Sequence, residues 1–409
     1  MNHRAGPLAI TVDETGPGTL LQLTDDQVAG LLRVPAMVRL SPASGGRWRL
    51  AGNQKVGLVR MHTPRGGAIE LRIRPKLPVH NLLFLLAYSP TDPWRPETVT
   101  AAEAQGLLPA LAELLARTAR RTLEAGVLHG YRTVEEDLPL VRGRIRTTDQ
   151  IRRTGLPLPV AVRYDDHTPD IAENRILLAA LHRAARLPGL PTRTTALLRH
   201  LADNLSGVHL LPAGAPLPSW TPTRLNARYG PLLRLAELLL SDRSVQPEGA
   251  NATTVDGFLL DMPAVFERFL TLALGGALAR RGIRCAAQEQ HHRLDTQGRV
   301  RMRPDMVLYR TGRIATVVDA KYATLDTAAP PTGHLYQLLS YCTALGLRHG
   351  HLVYAATTRR HATDHIIRRA EITVTAHALN LDQPPAELLS TISTLAAHID
   401  SPSTLGDNP

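Results

Sequence analysis

The sequence has 409 residues, with 47 lysines and arginines against 36 aspartates and glutamates, so its formal net charge is +11. Such an excess is typical of proteins that bind anionic partners such as nucleic acid, although it says nothing about the fold. Lysine is rare, and its three positions are Lys55, Lys76 and Lys321. None of them follows a glycine, as the lysine of a phosphate-binding loop does, so this chain contains no P-loop and is expected to bind no nucleotide.

The cysteine count and the apolar runs indicate where in the cell the protein is expected. Two cysteines cannot form a disulfide framework or a thiolate zinc site. The segment from Met1 to Pro7 leads into no apolar signal core, and the apolar run from Leu82 to Tyr88 is far too short to span a bilayer. We therefore expect a cytoplasmic protein with no membrane partner.

Strand-like patterns dominate the first eighty residues. Ile69, Leu71 and Ile73 alternate with polar residues, and this period of two indicates a half-buried strand. Further strand-like stretches occur at 8–12, 48–50 and 56–62. The sequence thus predicts a small β-rich N-terminal domain, residues 1–80.

The remaining chain predicts a helical region followed by an α/β unit. Leucines recur at helical spacing between Leu107 and Leu123, so residues 81–245 are predicted to form a mostly helical middle domain. Asp170 and Glu173 have the spacing of a capping box that begins a helix. Residues 252–400 are predicted to form an α/β domain. Its predicted helices are near 263–281, 335–345 and 386–398, and its strands near 299–309, 314–322, 351–356 and 371–376.

Two acids occupy matching positions of a predicted β-hairpin. Its apolar strands flank the short glycine-containing loop 310–313. A turn centred near Gly312 places Asp305 opposite Asp319, with their Cβ atoms ~5 Å apart. Two bare carboxylates at that distance repel each other, and a divalent cation relieves the repulsion by coordination. We therefore predict that both acids hold Mg²⁺, a hard ion that prefers carboxylate oxygens.

Lys321 lies two residues beyond Asp319, so strand alternation puts its side chain on the same face as both acids. A lysine beside a metal-bound water can hold the nucleophile, help to deprotonate it, or stabilise charge on a scissile phosphate. Arginine is no substitute, because only lysine offers a compact charge whose pKa its surroundings can lower. The alternative interpretation is an exposed hairpin with weak surface ion pairs.

Pro304-Asp305 and Asp319-Ala320-Lys321 together resemble the PD-(D/E)XK nuclease signature. The wider sequence resembles the McrC family, the nuclease subunit of methylcytosine-dependent restriction systems, over about residues 55–355. The further motifs that carry the resemblance are Ile73-Arg74-Pro75-Lys76-Leu77 with Asn81-Leu82-Leu83, Val141-Arg142-Gly143-Arg144-Ile145, Asp170 with Asn174-Arg175, Asp261-Met262-Pro263 with Phe266-Glu267, and Tyr336-Gln337-Leu338-Leu339-Ser340-Tyr341.

The resemblance implies an α+β multidomain fold with a small β-rich N-terminal domain, an α-helical middle region and a C-terminal α/β PD-(D/E)XK, restriction-endonuclease-like domain. It implies a Mg²⁺-dependent DNA endonuclease that cleaves DNA containing 5-methylcytosine. It also implies a separate partner, a McrB-like AAA+ GTPase ring, which the N-terminal domain is expected to contact. A chain without its own P-loop is consistent with such a partner.

The resemblance also assigns roles around the metal. Asp305, Asp319 and the backbone carbonyl of Ala320 would be Mg²⁺ ligands, Lys321 would be catalytic, and Glu267 would reach the metal through water. The alternative for Glu267 is a solvated acid in the first turns of a helix, where it meets the helix dipole favourably.

Gln337 and Tyr341 are four residues apart, so they project from one helical face. The resemblance implies that they border the active site and orient Lys321 or the DNA phosphate. An equally good interpretation is a tyrosine packed in the core beside a surface glutamine.

Arg299, Arg301 and Arg303 share the strand parity of Asp305, and we predict that they bind DNA phosphates. A solvated hairpin end is nearly as good an interpretation. The pair His291-His292 lacks a companion ligand set for zinc in the sequence, so it is interpreted as surface or packing residues.

Two other functions remain open. The chain could be a non-cleaving subunit that activates the GTPase, although Asp305, Asp319 and Lys321 are all intact, which argues against this. It could also be a stand-alone nuclease of the RecB-like kind, which shares the helix with Gln and Tyr.

Overall fold

The computed structural model describes residues 7–90, 106–152, 158–212, 215–241, 255–323, 330–358 and 361–401. The chain forms two compact units, residues 1–103 together with 244–409, and residues 104–243. Within the described residues, sixteen strands and ten α-helices make a mixed α/β architecture with four sheets.

The first unit begins with seven elements, which are β1 (Leu8–Asp13), β2 (Thr19–Leu21), α1 (Asp25–Leu32), β3 (Val38–Pro42), β4 (Trp48–Gly52), β5 (Lys55–His62) and β6 (Ala68–Arg74). Strands β2, β4 and β3 form a three-stranded sheet. The predicted alternation in β6 is confirmed, because Ile69, Leu71 and Ile73 are buried in the core that they share with Ile10 and Val12 of β1.

A strand from much later in the chain completes the N-terminal sheet. Strand β10 (Val255–Asp261) pairs antiparallel with β5, so the sheet order is β1-β6-β5-β10. The backbones approach closely here, since a Cβ on Gly57 would lie 2.0 Å from the Phe258 carbonyl oxygen. The predicted C-terminal domain therefore starts with residues that belong to the N-terminal sheet; the three-domain division itself stays a prediction.

The rest of the first unit is a six-stranded sheet with helices packed on it. Its order is β11-β12-β13-β14-β16-β15; β13, β14 and β16 run parallel, and the other pairings are antiparallel. The strands are β11 (Arg284–Ala287), β12 (Met306–Arg310), β13 (Arg313–Lys321), β14 (His349–Ala356), β15 (Thr363–Ile367) and β16 (Ile372–Asn380). The helices of this unit are α2 (Val79–Ala87), α8 (Met262–Ala279), α9 (Thr332–Leu345) and α10 (Pro385–Asp400).

The second unit combines helices with a small sheet that the sequence analysis did not predict. Its helices are α3 (Leu107–Glu124), α4 (Thr147–Ile151), α5 (Ala172–Ala184), α6 (Thr192–Asp203) and α7 (Gly230–Ser241). Its antiparallel sheet has the order β7-β9-β8, with β7 at Gly130–Leu138, β8 at Arg144–Ile145 and β9 at Val160–Thr168.

The predicted capping box of α5 is wrong. The helix begins after Ile171, and no side chain caps its N-terminus. Asp170 is instead buried and forms ion pairs with Arg132 and Arg175. This carboxylate therefore accepts charge-assisted hydrogen bonds from two guanidiniums and one from the backbone N–H of His209.

Helix α8 is long and apolar enough to cross a membrane by length and composition alone, and it is the one such helix among the described residues. A buried core helix passes the same test. Phe266, Phe269, Leu270 and Leu274 of α8 are buried within the protein, which accounts for its apolar character.

Candidate active site

The predicted hairpin and its register are confirmed. Strands β12 and β13 are joined by the two-residue turn Thr311-Gly312, whose φ angles are 47° and 81°. Positive φ at both turn residues is the geometry that suits tight β-hairpins. A β-bulge then shifts the pairing by one residue, so that Met306 faces Val318. The next positions in this register are Asp305 and Asp319.

Asp305, Asp319 and Glu267, called the acid cluster below, lie near enough beside the end of this hairpin for the charges of Asp319 and Glu267 to act on Asp305. The Ala320 N–H donates a 2.8 Å hydrogen bond to Asp305 Oδ2, and Asp319 is only 1% exposed. Burial, together with the charges of Asp319 and Glu267, raises the pKa of Asp305 well above its ordinary value, although the Ala320 N–H and Lys321 oppose this. The cluster thus carries negative charge that a proton or a cation must offset.

The donors of this cluster fit a Mg²⁺ ion. Asp319 Oδ2 is buried, and the Lys321 ammonium forms an ion pair with this same oxygen. The acid cluster has three carboxylates beside this one ammonium, so carboxylate oxygens remain that could bind a cation. Carboxylate oxygens are the ligands that Mg²⁺ prefers, so the residues present suit this metal.

Lys321 lies on the same face as Asp319, as predicted, and its ammonium is held from two sides. It pairs with Asp319 and donates a 2.8 Å hydrogen bond to Gln337 Oε1 on α9. Gln337 Nε2 donates to the Tyr341 hydroxyl at 3.0 Å, and this hydroxyl lies 3.3 Å from the carbonyl oxygen of Arg303. The structure therefore brings the predicted lysine, glutamine and tyrosine together in one hydrogen-bonded chain.

Gln288, which the sequence analysis missed, connects three parts of the site. Its backbone N–H donates to the Asp305 carbonyl at 3.0 Å, its side-chain amide donates to Glu267, and its amide oxygen accepts from Arg303. Its φ of 48° is left-handed, a conformation that few non-glycine residues adopt. No sequence pattern signals such a residue, so it could not have been predicted.

The predicted DNA-binding arginines do not share one strand. Strand β12 begins at Met306 rather than near residue 299, so strand alternation does not apply to Arg299, Arg301 and Arg303. All three are exposed. Arg303 reaches the acid cluster indirectly, because it donates a hydrogen bond to Gln288 and Gln288 in turn donates one to Glu267. Among the described contacts, this is the link that connects one of the three arginines to the acids.

The sequence matches a protein-family model. The family described as McrBC 5-methylcytosine restriction system component matches residues 50–355, which is more than half of the chain. The chain belongs to the McrBC family. The resemblance stated from the sequence is thereby confirmed. Comparison of this McrBC family member with curated protein sequences finds no significant match.

Two solved structures are similar to this McrBC family member. One is a chain from the refined half-complex of a tetradecameric assembly of Thermococcus gammatolerans McrB AAA+ hexamers with bound McrC; it has a TM-score of 0.55 and 18% identity, and the alignment covers 96% of this chain and 100% of that one. The other is from the cryo-EM structure of the Thermococcus gammatolerans McrBC complex, with a TM-score of 0.40, 18% identity, and coverage of 66% and 88%. At this identity the first likeness shows a shared fold.

A buried contact in this McrBC family member joins the N-terminal sheet to the strand that carries Lys321. The next residue, Tyr322, donates a 2.7 Å hydrogen bond from its hydroxyl to Glu14 Oε1. The Lys76 backbone N–H donates to the same oxygen at 3.1 Å, and its ammonium lies 4.1 Å from the centre of the Tyr322 ring. Gln54 Nε2 donates to the Tyr322 carbonyl at 2.7 Å. Lys76, one of the three lysines, thus helps to hold Tyr322 in place.

Proposed function

We propose that this McrBC family member is a Mg²⁺-dependent endodeoxyribonuclease, the cleaving subunit of a modification-dependent restriction system in the cytoplasm. The observation that carries the proposal is the meeting of Asp305 and Asp319 with Lys321 at the end of one hairpin. Carboxylates can hold a divalent metal that assists phosphodiester hydrolysis, and an adjacent ammonium can stabilise charge on the scissile phosphate.

Asp305, Asp319 and the Ala320 carbonyl would hold the ion, and Glu267 would reach it through water. Bound there, Mg²⁺ would polarise the scissile phosphate and lower the pKa of the attacking water. Asp305 must lose its proton to become a ligand, and its raised pKa means that ion binding competes with protonation.

Lys321 would act on the reacting phosphate or water from a fixed position. Gln337 Oε1 accepts a hydrogen bond from the Lys321 ammonium. The hydrogen bond from Gln337 Nε2 to the Tyr341 hydroxyl keeps that oxygen turned towards the lysine. The ammonium has further protons with which to bind a phosphate oxygen. Gln337 and Tyr341 are therefore positioning residues in this mechanism, and Lys321 is the catalytic one.

The DNA strand would approach along the basic segment that precedes the hairpin. Arg299, Arg301 and Arg303 are exposed there, and guanidiniums bind phosphates without regard to sequence. The choice of substrate would accordingly come mostly from a partner.

For that partner we propose a McrB-like AAA+ GTPase ring, with DNA containing 5-methylcytosine as substrate. The chain has no P-loop, so nucleotide-driven movement needs a second protein. A similar chain occurs in an assembly of McrB AAA+ hexamers with bound McrC, and the family description names 5-methylcytosine restriction. The N-terminal domain is the surface that we propose for contact with the ring.

The test is cleavage by the purified full-length protein on methylated and unmethylated DNA, with Mg²⁺ or EDTA, and with or without a McrB-like AAA+ protein and GTP. We expect cutting that requires Mg²⁺, the partner, GTP and methylated DNA. Cutting without the partner would favour a stand-alone RecB-like nuclease. Stimulated GTP hydrolysis without cutting would favour a non-cleaving activator.

A further inference from the structure

A second group of ligand-type side chains lies in the segment between β11 and β12. Glu289 Oε2 is 3.0 Å from His292 Nε2 and 3.9 Å from His291 Nε2. The three ligand atoms all lie within 4.8 Å of one another. The structure thus supplies the companion that the sequence analysis did not find for the two histidines.

These separations suit a zinc ion. Zinc bonds to imidazole nitrogen and carboxylate oxygen are about 2.0–2.2 Å long, so two ligands of a tetrahedral site stand roughly 3.4 Å apart. The two measured distances, 3.0 and 3.9 Å, lie on either side of this value. Small side-chain rotations would therefore bring all three atoms into coordination. Two histidines and one glutamate leave a fourth position for water.

Neighbouring groups fix the position of the Glu289 carboxylate, as they do for metal-binding carboxylates. The Tyr309 hydroxyl donates a 2.6 Å hydrogen bond to Glu289 Oε2, and a hydrogen-bonded carboxylate is typical of metal ligands. Burial would raise the pKa of Glu289, but hydrogen bonds from Tyr309 and His292 outweigh it and lower that pKa. The His292 side chain is 7% exposed, so two of the three ligands are shielded from bulk water.

We propose that Glu289, His291 and His292 form a zinc site that is distinct from the acid cluster. The two sites differ in chemistry, since imidazole nitrogen favours Zn²⁺ whereas an all-oxygen cluster favours Mg²⁺. The Met302 N–H donates to the His292 carbonyl at 3.2 Å, so an ion at this site fixes the segment that leads into Asp305. Its role is to stabilise that segment, independently of whether the protein cuts DNA.

The test is zinc binding by the full-length protein after metal has been removed with a chelator. Titration calorimetry with ZnCl₂ and thermal unfolding with and without zinc are measured for the native protein and for His291→Ala. His291 is exposed, with 66% of its side chain accessible, so this variant should fold normally. His361→Ala, which removes another exposed histidine of the same unit, is the matched control.

We expect the native protein to bind one equivalent of zinc and to melt at a higher temperature when zinc is bound. The zinc affinity should fall at least about tenfold in His291→Ala, because one of three ligands is lost, and should be unchanged in His361→Ala. His292→Ala should lose it as well. Asp319→Asn should retain it, because the acid cluster is a separate site. Zinc binding that is unchanged in His291→Ala, or that is lost only in Asp319→Asn, would overturn the proposal.

Discussion

The Tyr322 hydroxyl donates a 2.7 Å hydrogen bond to Glu14 Oε1 across 308 residues of sequence. Tyr322 directly follows Lys321, and Glu14 directly follows β1, so this bond ties the N-terminal sheet to the end of the β12–β13 hairpin. Glu14 is fully buried, at 0% exposure, and burial raises its pKa although the bonds from Tyr322 and Lys76 oppose this. The tie is therefore expected to matter for stability.

Tyr322→Phe removes this hydroxyl and leaves a buried carboxyl oxygen with one donor fewer. A buried polar group that loses its partner costs about 1–3 kcal/mol, so the variant should unfold at a lower urea concentration and a lower temperature. Tyr336→Phe is the control, because Tyr336 is 65% exposed and its change should cost less than about 0.5 kcal/mol. Equal stability of the two variants would mean that the Glu14 contact contributes nothing.

Gln337→Ala should slow DNA cleavage while leaving DNA binding intact. Without Gln337 Oε1 the Lys321 ammonium loses a fixed acceptor, and loss of such an orienting partner typically costs about 10–100-fold in activity. We expect the loss in kcat rather than in KM. Thr343→Ala, an exposed change on the same helix, should have no effect. A change confined to KM would instead assign Gln337 to substrate binding.

Arg301→Ala should weaken DNA binding and flatten its salt dependence, by about one unit in the logarithmic slope if this residue contacts one phosphate. Because Arg301 is exposed, its truncation should leave folding intact, so that a change in DNA affinity reports on binding alone. Affinities measured over a range of salt concentrations give the slope, and Arg39→Ala, an exposed change on β3, is the control. An unchanged slope would remove Arg301 from the DNA-binding surface.

Acid should destabilise the first unit through a buried histidine pair. His351 Nδ1 lies 3.2 Å from His377 Nε2. Burial, reinforced by the charge of His398 and opposed by that of Asp364, lowers the pKa of His377 to about 4. Burial, together with neighbouring histidines, lowers that of His351 too. His377 is therefore neutral in the folded protein at pH 5–6, and the lowered pKa of His351 favours its neutral form as well, whereas unfolded histidines take up protons below about pH 6.5.

The unfolded chain thus binds more protons between about pH 6.5 and pH 4, so the free energy of unfolding should fall as pH falls, by up to about 1.4 kcal/mol per pH unit for each histidine. His377→Asn should make the decline shallower, and His182→Asn, at an exposed site, should not. Thermal unfolding between pH 4.5 and 7.5 measures this. The same decline in His377→Asn would rule out the histidine pair as its cause.

Local patterns predicted the β12–β13 hairpin and its neighbouring helix well. The position of Lys321 follows from strand alternation, and the common face of Gln337 and Tyr341 from helical spacing. The register of Asp305 and Asp319 was also right, but the structure reaches it by a two-residue turn and a bulge that the sequence does not reveal.

Contacts between distant segments could not be predicted in the same way. Glu14 lies 308 residues from Tyr322, and β10 joins a sheet whose other strands lie in the first 74 residues. Nothing in the periodicity of either segment encodes its partner. Gln288 acts through a left-handed backbone conformation that its residue type does not favour. The three arginines were misplaced because alternation was extended beyond the true start of β12.

In the proposed mechanism Asp319 and Lys321 carry out cleavage. The most direct measurement is the initial rate of DNA cutting with Mg²⁺, GTP and the proposed AAA+ partner for Asp319→Ala and Lys321→Ala. The control is Lys55→Ala, because Lys55 is a second lysine that forms an ion pair with an aspartate. We expect both site variants to bind DNA and the partner but to cut about a hundredfold or more slowly, while Lys55→Ala keeps most of its activity. Cleavage at the native rate in both site variants would contradict the assignment.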